Sequence, residues 1–281
     1  MIFNNLKTFF VLGVLTLLVL VIGFALGGTI GLTIALVFTI LMNIISFWYS
    51  DKIVLKMYKA KPASHSEYGA LNDTVKDLAD RAGIKKPKIY IVPKDTPNAF
   101  ATGRSQKKAA VAVTSGLLDL LDERELRGVL AHELAHIKNK DTLIQTVAVI
   151  LASAIAYIAI IARWGAIFGS RDENSTGLFQ IIALSIVAPL AATILQLSIS
   201  RSREYLADEK GASFTKDPSA LASALNKLEN NPKKLRVGNQ ATASMFIVNP
   251  FSSRNFMKLF STHPATSERI KRLRKMSMKE Y

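Results

Sequence analysis

His132-Glu133-Leu134-Ala135-His136 decides how this chain is read. On a helix, residues four apart share a face, so both imidazoles reach one metal ion. Glu133 projects roughly 100° away from His132, beside the metal, where it can take a proton from an activated water. The five-residue pattern alone is moderately specific, and a pair of packed or solvated histidines on an amphipathic helix is the alternative. The surroundings favour the metal. Asp122 followed by Glu125 forms a capping box, and Leu126, Val129, Leu130, Leu134 and Ile137 recur at helical spacing, which predicts a helix over Glu123–Asn139.

Composition narrows the chemistry. The chain has 281 residues, no cysteine and four histidines, so disulfides and thiolate ligands are excluded and zinc must be held by His, Asp or Glu. A hydrophobic content of 49% and a net charge of +15, with a mean hydropathy of +0.24, direct attention to nucleic acid or an anionic membrane. The apolar distribution chooses the membrane. Residues 8–50 contain no charge and are about twice the roughly 20 residues that cross a bilayer core as helix, with Gly27-Gly28 near the middle. That predicts a transmembrane hairpin rather than a cleaved signal peptide. Residues 143–161 and 178–199 form a second apolar pair, limited by Arg163 and interrupted by Pro189.

Orientation follows from charge. Lys52, Lys56, Lys59 and Lys61 flank the first pair, and Lys138, Lys140, Arg201 and Arg203 flank the second, while the Gly27-Gly28 turn is uncharged. The positive-inside rule puts both termini and the polar blocks in the cytoplasm of a multi-pass plasma-membrane protein. The basic tail (Arg269, Lys271, Arg272, Arg274, Lys275 and Lys279) is expected close to anionic headgroups of the bilayer. No aromatic interleaving accompanies it, so nucleic acid is not an expected partner.

Four units result: a transmembrane hairpin over 1–50, a catalytic block over 51–142, a second transmembrane or embedded pair over 143–200, and a second catalytic block over 201–281. In the first polar block, 67–82 reads as an amphipathic helix, Lys88–Val92 as a strand, and 97–103 with 109–114 as a hairpin-like pair around a polar turn at 104–108. Asn98, Ala99 and Phe100 begin a candidate edge strand on which an extended peptide adds by backbone hydrogen bonds; a turn with a buried aromatic is the alternative. The second block is mainly helical, giving an α+β, mainly helical fold class.

A catalytic zinc ordinarily has three protein ligands. Glu204 and Asp208 are four apart, within Ser200-Arg201-Ser202-Arg203-Glu204-Tyr205-Leu206-Ala207-Asp208. One carboxylate could bind the metal while the other accepts an imidazole N–H. A solvated i,i+4 face in ion pairs with Arg201 and Arg203 fits the spacing equally well. His65, ahead of a predicted helix, reads as a surface or capping residue. Arg203 is open between an oxyanion contact and an ion pair.

These stretches in order, His132–His136 with Asn139 and Asp141, then Glu204 to Asp208, then Thr262-His263-Pro264 with Glu268-Arg269-Ile270, resemble the M48 family of zinc metallopeptidases, its membrane-bound heat-shock proteases in particular, over nearly the whole chain. The resemblance implies a multi-pass membrane protein with a cytosolic gluzincin-like domain. It further implies one catalytic Zn2+ per chain on His132, His136 and Glu204, Glu133 as general base, and Asp208 as the carboxylate that orients a ligand histidine. His263 is then either a stabiliser of the tetrahedral intermediate or a turn that docks the last helix. The implied activity is endopeptidase cleavage of unfolded or misfolded proteins in quality control. The charged residues on both sides of the motif argue against an intramembrane protease. A membrane scaffold with a retained zinc fold is the non-enzymatic alternative, which an intact Glu133 disfavours.

Overall fold

The computed structural model describes residues 2–143, 146, 201–231 and 264–278. The second apolar pair and His263 lie outside these residues, as do many side chains of the first fifty.

The first helix, α1 (Ile2–Met57), keeps a helical hydrogen-bond pattern throughout, yet the chain reverses within it. Gly28 has φ +57. A Cβ on Gly23 would lie 2.6 Å from the Gly31 carbonyl and 2.4 Å from the Ala35 Cβ. In a straight helix residues 23 and 31 are about 12 Å apart along the axis, so the two arms fold against one another at the turn read from the sequence. Large apolar side chains on both arms face outward, among them Leu17, Phe24, Ile34, Phe38 and Ile44. Among the described residues no helix is long and apolar enough to cross a membrane, so the two spans rest on the sequence.

Past residue 53 the second arm meets the polar domain. Four strands follow, β1 (Lys61–Pro62), β2 (Lys88–Val92), β3 (Ala99–Thr102) and β4 (Ala110–Thr114), in the order β1-β2-β4-β3. β2 and β4 run parallel, with Ile91 opposite Val113; the β1–β2 and β3–β4 pairs are antiparallel, with Phe100 opposite Ala112. Strand alternation gives the sheet two covered faces. Val92, Phe100, Ala110 and Ala112 pack on Val54 and Leu55 of α1 and on Tyr58 just past it, whereas Ile89, Ile91, Val111 and Val113 join the helical core. The Tyr58 and Phe100 ring centroids are 4.9 Å apart. Gly103 closes the β3–β4 turn at φ +125, where a Cβ would strike the Lys108 carbonyl.

The predicted helix over 67–82 begins later, as α2 (Gly69–Ala82). Ser64 is the reason: its Oγ and carbonyl accept the N–H groups of Glu67 and Tyr68, turning the chain before the helix starts. After a short α3 (Ser115–Leu120), α4 occupies Glu123–Asn139 as read from the sequence. The capping box is complete: Asp122 Oδ1 accepts the Glu125 N–H and Glu125 Oε2 accepts the Asp122 N–H. Every residue from 128 to 137 is buried, which makes α4 the centre of the domain rather than a surface amphipathic helix. Further α-helices among the described residues are α5 (Arg201–Thr215), α6 (Pro218–Glu229) and α7 (Thr266–Ser277). Arg203 lies 3.9 Å from Asp141 at one end of α4, and Arg124 binds Asp217, just past α5, at the other. The two helices therefore run antiparallel. Gly211 and Gly128 let α5 and α6 approach, since a Cβ on either would press on the backbone of His132 or Leu221.

Candidate active site

Antiparallel packing of α4 on α5 brings four residues from the two spaced motifs together. His132 and His136 present their Nε2 atoms 3.2 Å apart. The Glu204 carboxylate lies 3.7 Å from His132 Nε2 and 3.5 Å from His136 Nε2. All three residues are buried, and their ligand atoms lie within 4.8 Å of one another. A tetrahedral ion with bonds of roughly 2.0–2.2 Å separates its donors by about 3.3–3.6 Å. The three observed spacings bracket that edge, and two imidazole nitrogens with one carboxylate form a donor set suited to a divalent cation. The residues present fit a metal.

A second ring holds the first. Asp208 Oδ1 lies 2.9 Å from His132 Nδ1, and Asp141 Oδ2 lies 3.3 Å from His136 Nδ1. Each imidazole thus has a carboxylate on its outer nitrogen, which fixes the ring and directs Nε2 inward. Asp141 owes its place to the left-handed Lys140 at the end of α4, where the chain turns and the Asp141 N–H donates to the His136 carbonyl. Arg269 of α7 completes the ring. Its guanidinium clasps Asp208 through two bonds of 2.7 and 2.8 Å, lies 3.6 Å from Glu204 and is 1% exposed.

The electrostatics follow from these neighbours. Burial opposes charge on both imidazoles. For His132 it prevails, with Arg269 adding repulsion against the pull of Asp208, and the pKa falls. For His136, burial is overcome by the Asp141 hydrogen bond and the charges of Glu204 and Glu133, and the pKa rises to about 9. Surroundings that hold a proton there are those that attract a metal cation. Burial pushes the Glu133 carboxyl up to about 7. Burial also works against ionised Asp208, but the Arg269 charge and the His132 hydrogen bond outweigh it and hold its carboxyl below the usual range.

Glu133 lies on the sheet side of α4, where the backbone of Ala101 favours its ionised form and offsets part of the effect of burial. β3 is the last strand of the sheet among the described residues. Asn98 accepts the Thr114 N–H through its carbonyl, so by antiparallel alternation Ala99 and Ala101 direct their backbone groups away from β4. The side chains of Asn98, Ala99 and Phe100 are themselves buried. Any role of this stretch in binding therefore belongs to its backbone edge.

Arg203 is buried with Nε 3.9 Å from Asp141, and His65 is exposed beside Asp73. Two members of the outer ring, Asp141 and Arg269, are not distinguished by spacing as supports of the site. Asp141 stands in the sequence only as part of a motif. The expectation that Arg269 faces the headgroups with the rest of the basic tail is overturned by its burial on Asp208. The available signal was Leu273, a buried residue four positions on, which puts Arg269 on the inward face of α7.

The profile of Peptidase family M48 matches residues 65–277. Proteins named Protease HtpX homolog are similar over nearly the full length. The one from Pyrococcus furiosus is 52% identical over 276 residues, 97% of this chain and 96% of that protein. The one from Persephonella marina is 50% identical, covering 98% of each. Among solved structures, S. mikatae Ste24p matches with a TM-score of 0.53 at 19% identity, covering 97% of this chain and 65% of that one; this similarity concerns the fold alone. The matched span takes in both helices that build the site, and with relatives at half identity it makes the chain a metalloprotease of peptidase family M48.

Proposed function

We propose that this chain is a membrane-bound, zinc-dependent endopeptidase that cleaves unfolded or misfolded proteins on the cytoplasmic side of the plasma membrane. The observation that carries the reading is the convergence of His132, His136 and Glu204 within 4.8 Å, in a buried site with Glu133 beside it. In this reading one Zn2+ is held by those three residues. When bound, it supplies the acidification of water and the polarisation of the scissile carbonyl that neutral-pH hydrolysis needs.

The chain's own residues do the rest. Asp208 and Asp141 orient the two imidazoles. Glu133 takes the proton of the attacking water and returns it to the leaving amine. The outward backbone groups of Ala99 and Ala101 pair with an extended peptide, so that recognition falls on backbone rather than side chains and suits varied unfolded segments. His263, outside the described residues, is assigned to the tetrahedral intermediate on its motif alone. The uncharged stretch 8–50 and the apolar stretches 143–161 and 178–199 support four membrane helices, with the flanking cations towards the cytoplasm.

The test compares purified wild type with Glu133→Gln in detergent with added zinc, using casein as unfolded substrate. The variant should retain metal and lose roughly 10²–10⁴-fold in turnover, and a chelator should silence the wild type. Equal activity in both proteins would assign the cleavage to another base or a contaminant. Metal binding without cleavage in either would favour the scaffold reading.

A further inference from the structure

The β3–β4 turn has no part in the chemistry above, yet it is tied to the ends of both apolar regions. On one side Arg104 lays its guanidinium 4.2 Å from the ring centre of Trp48, at the end of the uncharged stretch of α1. On the other, the Thr142 hydroxyl donates to the Gly103 carbonyl and Thr102 Oγ1 meets Thr146 Oγ1 at 3.1 Å, where the second apolar region begins. Gln106 reaches the Lys138 carbonyl at the end of α4. The described ends of the two apolar regions thus lie at one place, with residues 103–109 between them.

The chemistry of this place is that of a lipid interface. Trp48 and Tyr49 are 55% and 51% exposed, and Lys52, one helical turn beyond Trp48, holds its Nζ 5.4 Å over the Tyr49 ring. Lys52, Lys107, Lys108 and Lys140 are exposed around Arg104 and its turn. Of the carboxylates at this place, Glu133 and Asp141 are buried and Asp51, within the Trp48–Lys52 turn, is half-buried against four exposed lysines. At the far end of α4 the first turn instead carries Glu123 and Glu125. Aromatic rings beside cations, between an apolar helix and a polar domain, mark headgroup depth. Trp48 and Val54, the first α1 residue buried on the sheet, are about 9 Å apart along the helix, close to the roughly 5–7 Å of one headgroup layer.

We infer that residues 103–109 and the Trp48–Lys52 turn of α1 form one surface seated on anionic phospholipid headgroups. It rests on the membrane reading above and adds a geometric consequence. Ala101, on the strand beside Glu133, is three residues from Arg104, no more than about 10 Å away. The cleavage site is then held close above the bilayer, and the segments it meets first are those emerging from the membrane.

Because the chain lacks cysteine, Ser105→Cys and Glu123→Cys each accept a single nitroxide. The full chain is reconstituted in phosphatidylcholine vesicles with and without phosphatidylglycerol, and collision with an aqueous nickel chelate is measured. The label at 105 should be several-fold less accessible than that at 123, about 24 Å away along α4 and its turn, with stronger protection when phosphatidylglycerol is present. Adding Lys107→Glu and Lys108→Glu should abolish that lipid dependence. Equal accessibility at both sites, in protein that resists an alkaline carbonate wash, would overturn the headgroup surface and leave the membrane spans standing. Lipid dependence that survives charge reversal would also overturn it. Release by carbonate would sink the membrane reading and this surface together.

Discussion

Arg269 grips Asp208 by both guanidinium edges, at 2.7 and 2.8 Å, while the same Asp208 carboxylate lies 2.9 Å from His132 Nδ1. The last helix therefore reaches the candidate metal site through one intermediary. A monodentate cation cannot reproduce this arrangement. Breaking a buried ion pair costs about 3–5 kcal/mol, since the remaining charge is left in a low-dielectric interior. Arg269→Met should accordingly lower thermal stability sharply, and Arg269→Lys less so. Because Asp208 then loses its orientation, the Lys variant should also bind zinc more weakly, by up to the 10–100-fold that the loss of such outer contacts produces. Titration of zinc into the folded Lys variant checks this; wild-type affinity would reduce Arg269 to a purely structural contact.

Two glycines separate site assembly from general stability. A Cβ at Gly211 would lie 3.0 Å from the His132 backbone nitrogen, on the helix pair that carries all the proposed ligands. At Gly128 it would lie 2.7 Å from the Leu221 nitrogen, against α6, which carries none of them. Overpacking of this kind costs typically about 1–3 kcal/mol. Gly128→Ala should lower the melting temperature while zinc affinity per folded molecule is kept. Gly211→Ala should lower the affinity, because Glu204 and Asp208 move with α5 away from the imidazoles. Zinc titration and thermal melts on both variants decide it, and equal affinity would show that α5 yields without disturbing its ligands.

What was legible in the sequence was local. The boundaries of α4 follow from Asp122, Glu125 and a 3.6-residue apolar rhythm, all within one helix, and the β3–β4 pair follows from alternation around a polar turn. The partnership of Glu204 with the histidines is of another kind. Spacing put Glu204 and Asp208 on one face but left a solvated ion-pair face equally open, and the motif resemblance rather than geometry selected Glu204 as the ligand. What decides it in space is the antiparallel course of α5, set by packing at Gly211 and by the pairs Arg203–Asp141 and Arg124–Asp217 at opposite ends. Arg269 was hidden more deeply, because six basic residues in the tail look alike until packing withdraws one of them.

The capping box offers a test with a defined pH sign. Asp122 accepts the Glu125 N–H, and that bond, with the attraction of Lys227, holds its carboxyl below an ordinary aspartate's 3.8. Its contribution is present above that unfolded value and is lost as the pH falls through the lower folded one. Asp122→Ala should therefore lower the melting temperature by a few degrees near neutral pH. The gap to wild type should narrow in strongly acidic buffer. Casein cleavage per folded molecule should not change, since Asp122 lies at the far end of α4. A gap that persists unchanged in acid would assign the effect to something other than the ionised cap.

Removing the metal tests how far the site depends on it. Without a cation, Glu204, 1% exposed, has Arg269 at 3.6 Å and two imidazoles as its neighbours. Asp208 already engages that guanidinium through two shorter bonds. Arg269 and a protonated His136 offset the Glu204 charge, since the neighbouring acids hold a proton on His136, and a divalent ion on the three donors would take that proton's place. Zinc at 100 times its dissociation constant should raise stability by about 2.7 kcal/mol over chelated protein. In Glu204→Gln, with one anionic donor gone, the zinc-dependent shift should shrink markedly. Differential scanning fluorimetry of both proteins, with and without zinc, reads out both effects. An equal zinc shift in the two would remove Glu204 from the ligand set.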